Sequence, residues 1–367
     1  MFRRRHIRRT APLATILLAA ALTAGAASQS AAHDNDRDER VVRIMTQNVF
    51  EGTNYQELAA ATTLPEFFAA VTATFQGIAA TNPAERAADI AREIARHKPD
   101  LVGLQEVSIV RTGAVPPATT VVSDLLQLIR DELVKLKQNY VLVAIVPKLD
   151  AHAPTSPTGP FFRLTGQDAI LARKDPDLKL SNVQVKNFNT NLVFPSIAGP
   201  IVFKRGWASV DVRKAGRTFR FATTHLEAAV PAIRLAQANE VIQGLGTDLP
   251  VVVVGDFNAI PNDTTDPTYQ TFQLANFDDA WALRRPFDPG FTCCQDGDLK
   301  NAKSLLSTRV DWVLFRGRFR GDFHVLDAEL IGEKRNDRTP SGLWPSDHAG
   351  VAVKLRLPHQ HHHHAKH

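Results

Sequence analysis

A layered α/β fold is predicted from three features of this chain. Short apolar runs of strand character alternate with amphipathic helical stretches, no internal repeat is visible, and no shift in composition divides the chain. Taken in order, Val42, Ile44 and Thr46 alternate with Arg43, Met45 and Gln47 as a half-buried first strand. A long segment, Thr53 to Thr81, carries Leu64, Phe67, Phe68, Val71 and Phe75 at helical spacing. It reads as packing on the body of the fold or as an apolar lip at the mouth of a site. Asn82-Pro83 with Glu85 starts a helix, whose apolar face is Ala87, Ile90, Ala91 and Ile94. Pro99-Asp100 ends it and launches the strand Leu101–Leu104. A second helix is predicted over Val121 to Leu136, with Leu125, Ile129, Leu133 and Leu136 inward. Strands follow at Tyr140–Val146, Ala169–Ala172, Trp207–Val212 and Thr218–His225. Ala151–Pro160, rich in Pro, Thr and Ser, reads as a surface loop. A third helix, Pro231 to Leu245, turns Leu235, Ala238, Ile242 and Leu245 inward and stops at Gly246. The strands Val251–Val254, Val310–Phe315, Phe323–Leu330 and Gly350–Leu355 complete the series.

The ends of the chain differ from its body. Five arginines (Arg3, Arg4, Arg5, Arg8 and Arg9) precede an apolar stretch from about Ala11 to Ala24, and small residues follow. This is the pattern of an export signal over residues 1–32, cleaved after Ser30-Ala31-Ala32, and it is too short for a membrane span. Residues 33–40 form a charged spacer, 41–357 the folded domain, and 358–367 a histidine-rich tail with no tie to the chemistry. The whole chain carries 43 basic and 38 acidic residues. Without the leader the balance is 38 against 38, so the cationic excess that marks a nucleic-acid groove disappears. The two cysteines, Cys293 and Cys294, are adjacent, a spacing that disfavours a bridge between them and provides no zinc site. A secreted monomer is expected.

Chemistry concentrates at strand ends. Val251 to Val254 run into Gly255-Asp256-Phe257-Asn258, a turn from valine to carboxylate and amide that packing does not call for. Asn48 follows the first strand, Glu106 the second, and His225 the run Phe219–Thr224. Asp347-His348 precedes the last strand. Asp311 lies between Val310 and Trp312, where an unpaired carboxylate is costly, so a histidine or amide partner is expected. Strand ends on one rim are where polar groups converge on a ligand. Carboxylates and carboxamides suit magnesium, manganese or calcium better than zinc, and with imidazoles they fit phosphate-ester hydrolysis.

The series Gln47-Asn48, Leu104-Gln105-Glu106-Val107, Thr224-His225-Leu226, Gly255-Asp256-Phe257-Asn258, Arg309-Val310-Asp311 and Ser346-Asp347-His348 resembles the endonuclease/exonuclease/phosphatase family over about Val41 to Leu357. The resemblance implies two packed mixed β-sheets flanked by helices, a deoxyribonuclease I-like four-layer sandwich with the site at one end. It implies Glu106 as the principal metal ligand, beside Asn48 and Asp347, for Mg2+ (or Mn2+ or Ca2+). Asp256 and Asn258 would orient water and phosphate, His225 would donate to a phosphoryl oxygen, and Asp311 would fix the tautomer of His348. Asp256 and His348 both remain candidates for the group that takes the proton from water. Arg205 and Asp168 are expected on the substrate phosphate.

The substrate is open to three readings: a small or lipid phosphoester, nucleic acid, or, from another class, a ligand held without turnover by a catalytically silent binding domain. Every chemical position is filled, which disfavours the last. Neutral charge disfavours the second, although Arg316, Arg318 and Arg320 stand where a DNA backbone could be met. Phe161-Phe162 and Trp344-Pro345 flank chemical positions and are expected to line the entrance.

Overall fold

The computed structural model describes residues 40–317 and 323–357. The leader, the spacer as far as Glu39, Arg318, Arg320 and the tail from Pro358 lie outside these residues. By its contacts the chain divides after Val41, and the unit that begins at Val42 contains the helices and, but for Val41 itself, the strands.

Sixteen strands are found among the described residues: β1 (Val41–Asn48), β2 (Leu101–Gln105), β3 (Ile109–Gly113), β4 (Thr120–Asp124), β5 (Tyr140–Pro154), β6 (Phe161–Arg173), β7 (Lys179–Asn187), β8 (Leu192–Ser196), β9 (Gly199–Phe203), β10 (Gly206–Lys214), β11 (Arg217–His225), β12 (Val251–Asp256), β13 (Asp278–Asp279), β14 (Asp311–Arg316), β15 (His324–Ile331) and β16 (Gly350–Arg356). The helices are α1 (Gln56–Ala60), α2 (Leu64–Ala80), α3 (Pro83–His97), α4 (Leu125–Lys135), α5 (Pro231–Gly244), α6 (Thr268–Leu274) and α7 (Ala280–Arg284). One mixed sheet has the order β15-β16-β1-β2-β6-β3-β4, with β5 on β6. A second has the order β13-β14-β12-β11-β10-β7, and β8-β9 form a separate hairpin.

The two large sheets pack face to face. Val42, Ile44, Leu101 and Ile170 of the first meet Val210, Phe219, Phe221, Val252, Val254 and Val313 of the second. Residues of opposite parity on the same strands face outward to helices. Met45, Val102 and Leu171 bury the apolar faces of α3 and α4. Val251, Val253, Trp312 and Leu314 bury those of α5 and α6. Coverage on both faces explains why β12 is a continuous valine run instead of an alternating one. Helix–sheet–sheet–helix is the four-layer order expected. At Gly103 a side chain would come within 2.6 Å of Thr223 Oγ1 and 2.7 Å of Val254 Cγ2 on the opposite sheet. Glycine is what allows the sheets to approach there.

Several local expectations change. Val121 and Val122 belong to β4, which pairs with β3 through Thr120, Val121, Ser123 and Asp124 with Val122 at a register shift, and α4 begins only after the Asp124 cap. Ala151 to Pro154 continue β5, paired with Leu164 to Phe161, so the proposed loop is the end of a hairpin. On α5 the expected Ala238 is buried, Leu245 is buried just beyond it and Ile242 packs on the same cluster, but Leu235 is only half-buried and Arg234, Gln237 and Val241 share the inner face. The two polar members are satisfied there. Gln237 receives the Glu227 N–H at 2.8 Å and donates to Thr190 O at 2.9 Å, and Arg234 donates to Asp266 Oδ2 at 2.7 Å. Trp344 is core, its indole N–H donating to Asn301 O at 2.9 Å, and does not line an entrance. Cys293 and Cys294 are paired with each other, contrary to expectation.

Candidate active site

Register places the chemistry. In the second sheet His225 pairs with Asp256 across parallel β11 and β12, and Asp256 pairs with Asp311 across antiparallel β12 and β14. Three polar residues therefore form one row at one sheet end. In the first sheet Asn48 pairs with Gln105, which puts Glu106 one residue beyond, and Asp347-His348 lead into β16 beside β1. The two rims meet.

Asp256 Oδ2 is the meeting point. It accepts from Asn48 Nδ2 at 3.0 Å and lies 3.3 Å from His225 Nε2 and 3.9 Å from His348 Nε2. Its other oxygen accepts from the Asn258 N–H at 2.9 Å. Asn48 also donates to Glu106 Oε1 at 3.1 Å, joining the carboxylates of the two sheets. Glu106 and Asn258 are left-handed, at φ 63° and 51°, a conformation tolerated where the surroundings fix it and common at functional sites. Gly255 has φ 147°, and a side chain there would collide with the Thr224 backbone carbonyl. Gly255→Ala is expected to cost roughly 2–4 kcal/mol by chemical denaturation, because backbone cannot yield as a side-chain tip can.

The two histidines differ in state. Asp311 Oδ2 stands 2.8 Å from His348 Nδ1 and orients the ring, the partner expected for a carboxylate in an apolar strand. Burial works against charge on His348, yet Asp311 and Asp347 prevail and lift it well above the ordinary imidazole range. His225 is driven the other way, well below the ordinary imidazole range, by burial, with Arg205 and Lys148 adding to it. Burial alone would raise Glu106, but Lys148 holds it at about 2.

Asn258 is tied down by its amide, which donates to Leu226 O at 2.9 Å. Arg205 lines the cleft 3.9 Å from Glu227, and its Nη1 is buried without a hydrogen-bond partner among the described residues. Asp168 is not at the surface of the cleft. It is fully buried beneath it, accepting the Glu106 N–H at 3.1 Å and lying 3.3 Å from Lys148 Nζ. It supports Glu106 from below and does not face a phosphate. Arg316 is at the far end of β14 from Asp311, with its guanidinium over the Phe277 ring.

Two side chains of the site escaped sequence reasoning. Lys148 sits at a register shift in β5 that turns it inward, 3.0 Å from His225 Nδ1. Glu51 is buried, bonded to Ser108 Oγ at 2.5 Å and to the Tyr55 hydroxyl, while its N–H donates to Glu106 Oε2 at 2.9 Å. A bulge has no sequence signature here. Glu51, three residues past Asn48, was the one recoverable from proximity.

These residues suit a divalent cation. Glu51, Glu106, Asp168, Asp256, Asp311 and Asp347 crowd one buried region. Burial raises Asp347 to about 7, and the negative charges of Glu106 and Asp256 add to the effect. Oxygen donors in excess of local positive charge are what a hard cation relieves. Glu106 and Asp347 would hold it from one side; Asn48, expected as a ligand, turns its amide N–H groups to Glu106 and Asp256 while its Oδ1 accepts from the Phe50 N–H at 3.0 Å, so it braces those carboxylates. Asp256, Asp311 and His348 also bring a ligand atom each within 4.8 Å of one another.

A two-sheet sandwich with carboxylates, amides and two imidazoles at one rim defines a class of phosphoester hydrolases. The sequence pattern of the endonuclease/exonuclease/phosphatase family matches residues 45–348, and the chain belongs to that family. Its members are hydrolases acting on phosphoesters and are generally dependent on divalent metals. The mouse (Mus musculus) protein Nocturnin is 26% identical over 167 residues, covering 41% of this chain and 37% of Nocturnin. The chain thus spans little more than a third of that relative's length. An endonuclease/exonuclease/phosphatase family protein from Leptotrichia buccalis superposes with a TM-score of 0.56 at 15% identity, covering 85% of this chain and 98% of that one. TDP2 of D. rerio, solved with a single-strand DNA product, gives 0.53 at 18% identity, covering 86% and 98%. At these identities the likeness is one of fold.

Proposed function

We propose that this chain is an exported, magnesium-dependent phosphodiesterase acting on a small or lipid phosphoester. The observation that carries the reading is the convergence of Asn48, His225 and His348 on Asp256 Oδ2. A cation on Glu106 and Asp347 would supply Lewis-acid charge at the phosphoryl oxygens. Asp256 orients a water molecule and takes its proton as the water oxygen bonds to phosphorus. The opposite P–O ester bond breaks in line, the leaving oxygen taking its proton from solvent, and the charged His348, steered by Asp311 and on the same side as Asp256, donates from Nε2 to a phosphoryl oxygen. Neutral His225 donates a hydrogen bond to a phosphoryl oxygen, and the unpartnered Arg205 Nη1 meets another. The balanced charge of the chain without its leader supports this substrate class over nucleic acid. Release of residues 1–32 belongs to the same reading, and N-terminal sequencing of the exported protein checks it.

The test is purified protein with and without Mg2+ on bis-p-nitrophenyl phosphate, sphingomyelin, inositol phosphates and plasmid DNA. Hydrolysis of the first two is expected, together with a thermal midpoint that rises with Mg2+ in the wild type but not in Glu106→Ala. Salt-sensitive cleavage of DNA alone would assign the chain to nucleic acid instead, and an unchanged midpoint would remove the metal role of Glu106.

A further inference from the structure

We propose that the catalytic cleft continues into an apolar seat for a hydrophobic chain carried by the phosphoester, so that the enzyme selects substrates by chain length. The inference rests on the phosphoesterase reading above. Around Glu106, Asp347 and Arg205 there is a cavity of about 400 Å³. A second, of about 460 Å³, shares Tyr55, Leu58, Leu149, Ile201 and Phe203 with it. The two are therefore contiguous, and each is of a size that holds a small ligand.

Their walls differ in chemistry. The far cavity lies between α1 and α2, the β5-β6 hairpin and the β8-β9 hairpin. Phe67, Val71, Ala153, Phe162 and Leu164 line it. Phe67, Val71, Phe162 and Leu164 belong to one apolar cluster, with Leu58 and Ala153 packed on it. The Tyr55 ring meets Phe203 edge-on with centroids 5.4 Å apart, closing the seam between α1 and β9. Lys148 and Lys204 line both cavities, with the Lys148 ammonium turned to Asp168 and His225. Asp150, His152 and Ser196 also line the far cavity beside the apolar cluster. A molecule with phosphate beside Glu106 and Arg205 and a chain running past Leu58 matches the passage from the charged cleft to that cluster.

The experiment compares methyl and octyl p-nitrophenyl phosphodiesters, the octyl ester kept below its micelle concentration, with Mg2+. Each buried methylene is worth about two- to fourfold in kcat/KM, so with at least about five of its seven extra methylenes seated the octyl ester is expected to exceed the methyl ester by at least about 30-fold. Ala153→Trp, which fills the seat, and Val202→Glu, which charges its β9 wall away from the catalytic cavity, are expected to bring that ratio below about 5. Turnover of the methyl ester reports that each variant is folded. Equal kcat/KM for the two esters in wild type overturns the seat and leaves the phosphoesterase reading standing. A wild-type ratio retained by both variants also overturns it. No turnover of either ester by wild type, beside hydrolysis of plasmid DNA, overturns the substrate reading and the seat together.

Discussion

Asp256→Asn is expected to lower kcat by at least about 10³-fold while leaving the protein folded, a loss of roughly 4 kcal/mol of transition-state stabilisation. The substitution nearly conserves shape, and Oδ1 can still accept the Asn258 N–H. What disappears is the carboxylate on which Asn48 and His225 converge and to which the proposed mechanism gives the proton of water. The same change also costs stability. With Oδ1 on the Asn258 N–H, the new Nδ2 faces Asn48 Nδ2 and cannot accept from it, so a buried donor loses its partner. Without Mg2+ the thermal midpoint of Asp256→Asn should therefore fall below that of wild type by a few degrees, and its rise on adding Mg2+ should shrink. Steady-state kinetics and paired thermal scans check both. Wild-type turnover in a folded Asp256→Asn protein would dismiss the assigned base.

Arg86→Met should cost about 3–5 kcal/mol, a drop in thermal midpoint on the order of 10 °C. The guanidinium is fully buried in α3 and makes no close ion pair among the described residues. It donates to Val49 O at 2.6 Å, Phe50 O at 3.0 Å, Thr81 O at 3.0 Å and Pro345 O at 3.2 Å. Methionine fills much of the volume but leaves those carbonyls buried without a donor. Val49 and Phe50 follow Asn48 directly, and Pro345 precedes Ser346-Asp347, so the variant should also lose activity at temperatures where it is still folded. Lysine should not rescue it, since one ammonium cannot span the four acceptors. Circular dichroism melts and kinetics below the transition measure the two effects separately.

The site was legible where its chemistry interrupts a pattern. Asp256 ends a valine run, Asp311 sits inside an apolar strand, and Glu106 and His225 close buried strands, so each stands out against its neighbours. Asp168 was visible as a polar residue, but its depth was not, because only the pairing of Val146 with it in the β5-β6 hairpin puts it under Glu106. Lys148 lies beyond any local rule, its direction being set by an irregular register. Arg86 looked like an ordinary charged helix position, since nothing in α3 announces carbonyls supplied by chain segments far away in sequence. On α5 the apolar pattern placed Ala238, Ile242 and Leu245 but missed Gln237 and Arg234 for a related reason: they are buried because loops near the site need their donors and acceptors. Composition misled at Ala151–Pro154, where edge pairing tolerates proline.

Gln105 of the first sheet donates to Thr223 of the second at 3.0 Å, Thr46 donates to Gln105 at 3.2 Å, and Asn48 bridges to Asp256 just beyond. Neither sheet owns a working centre: one brings Glu106 and Asn48, the other Asp256 and His225. A slide of one layer over the other by a single strand residue, about 3.3 Å, would pull the halves out of reach while sparing every strand. Catalytic competence in this chain is thus a property of alignment between layers, and Gly103 with its hydrogen-bonded neighbours acts as the dowel that keeps them in line.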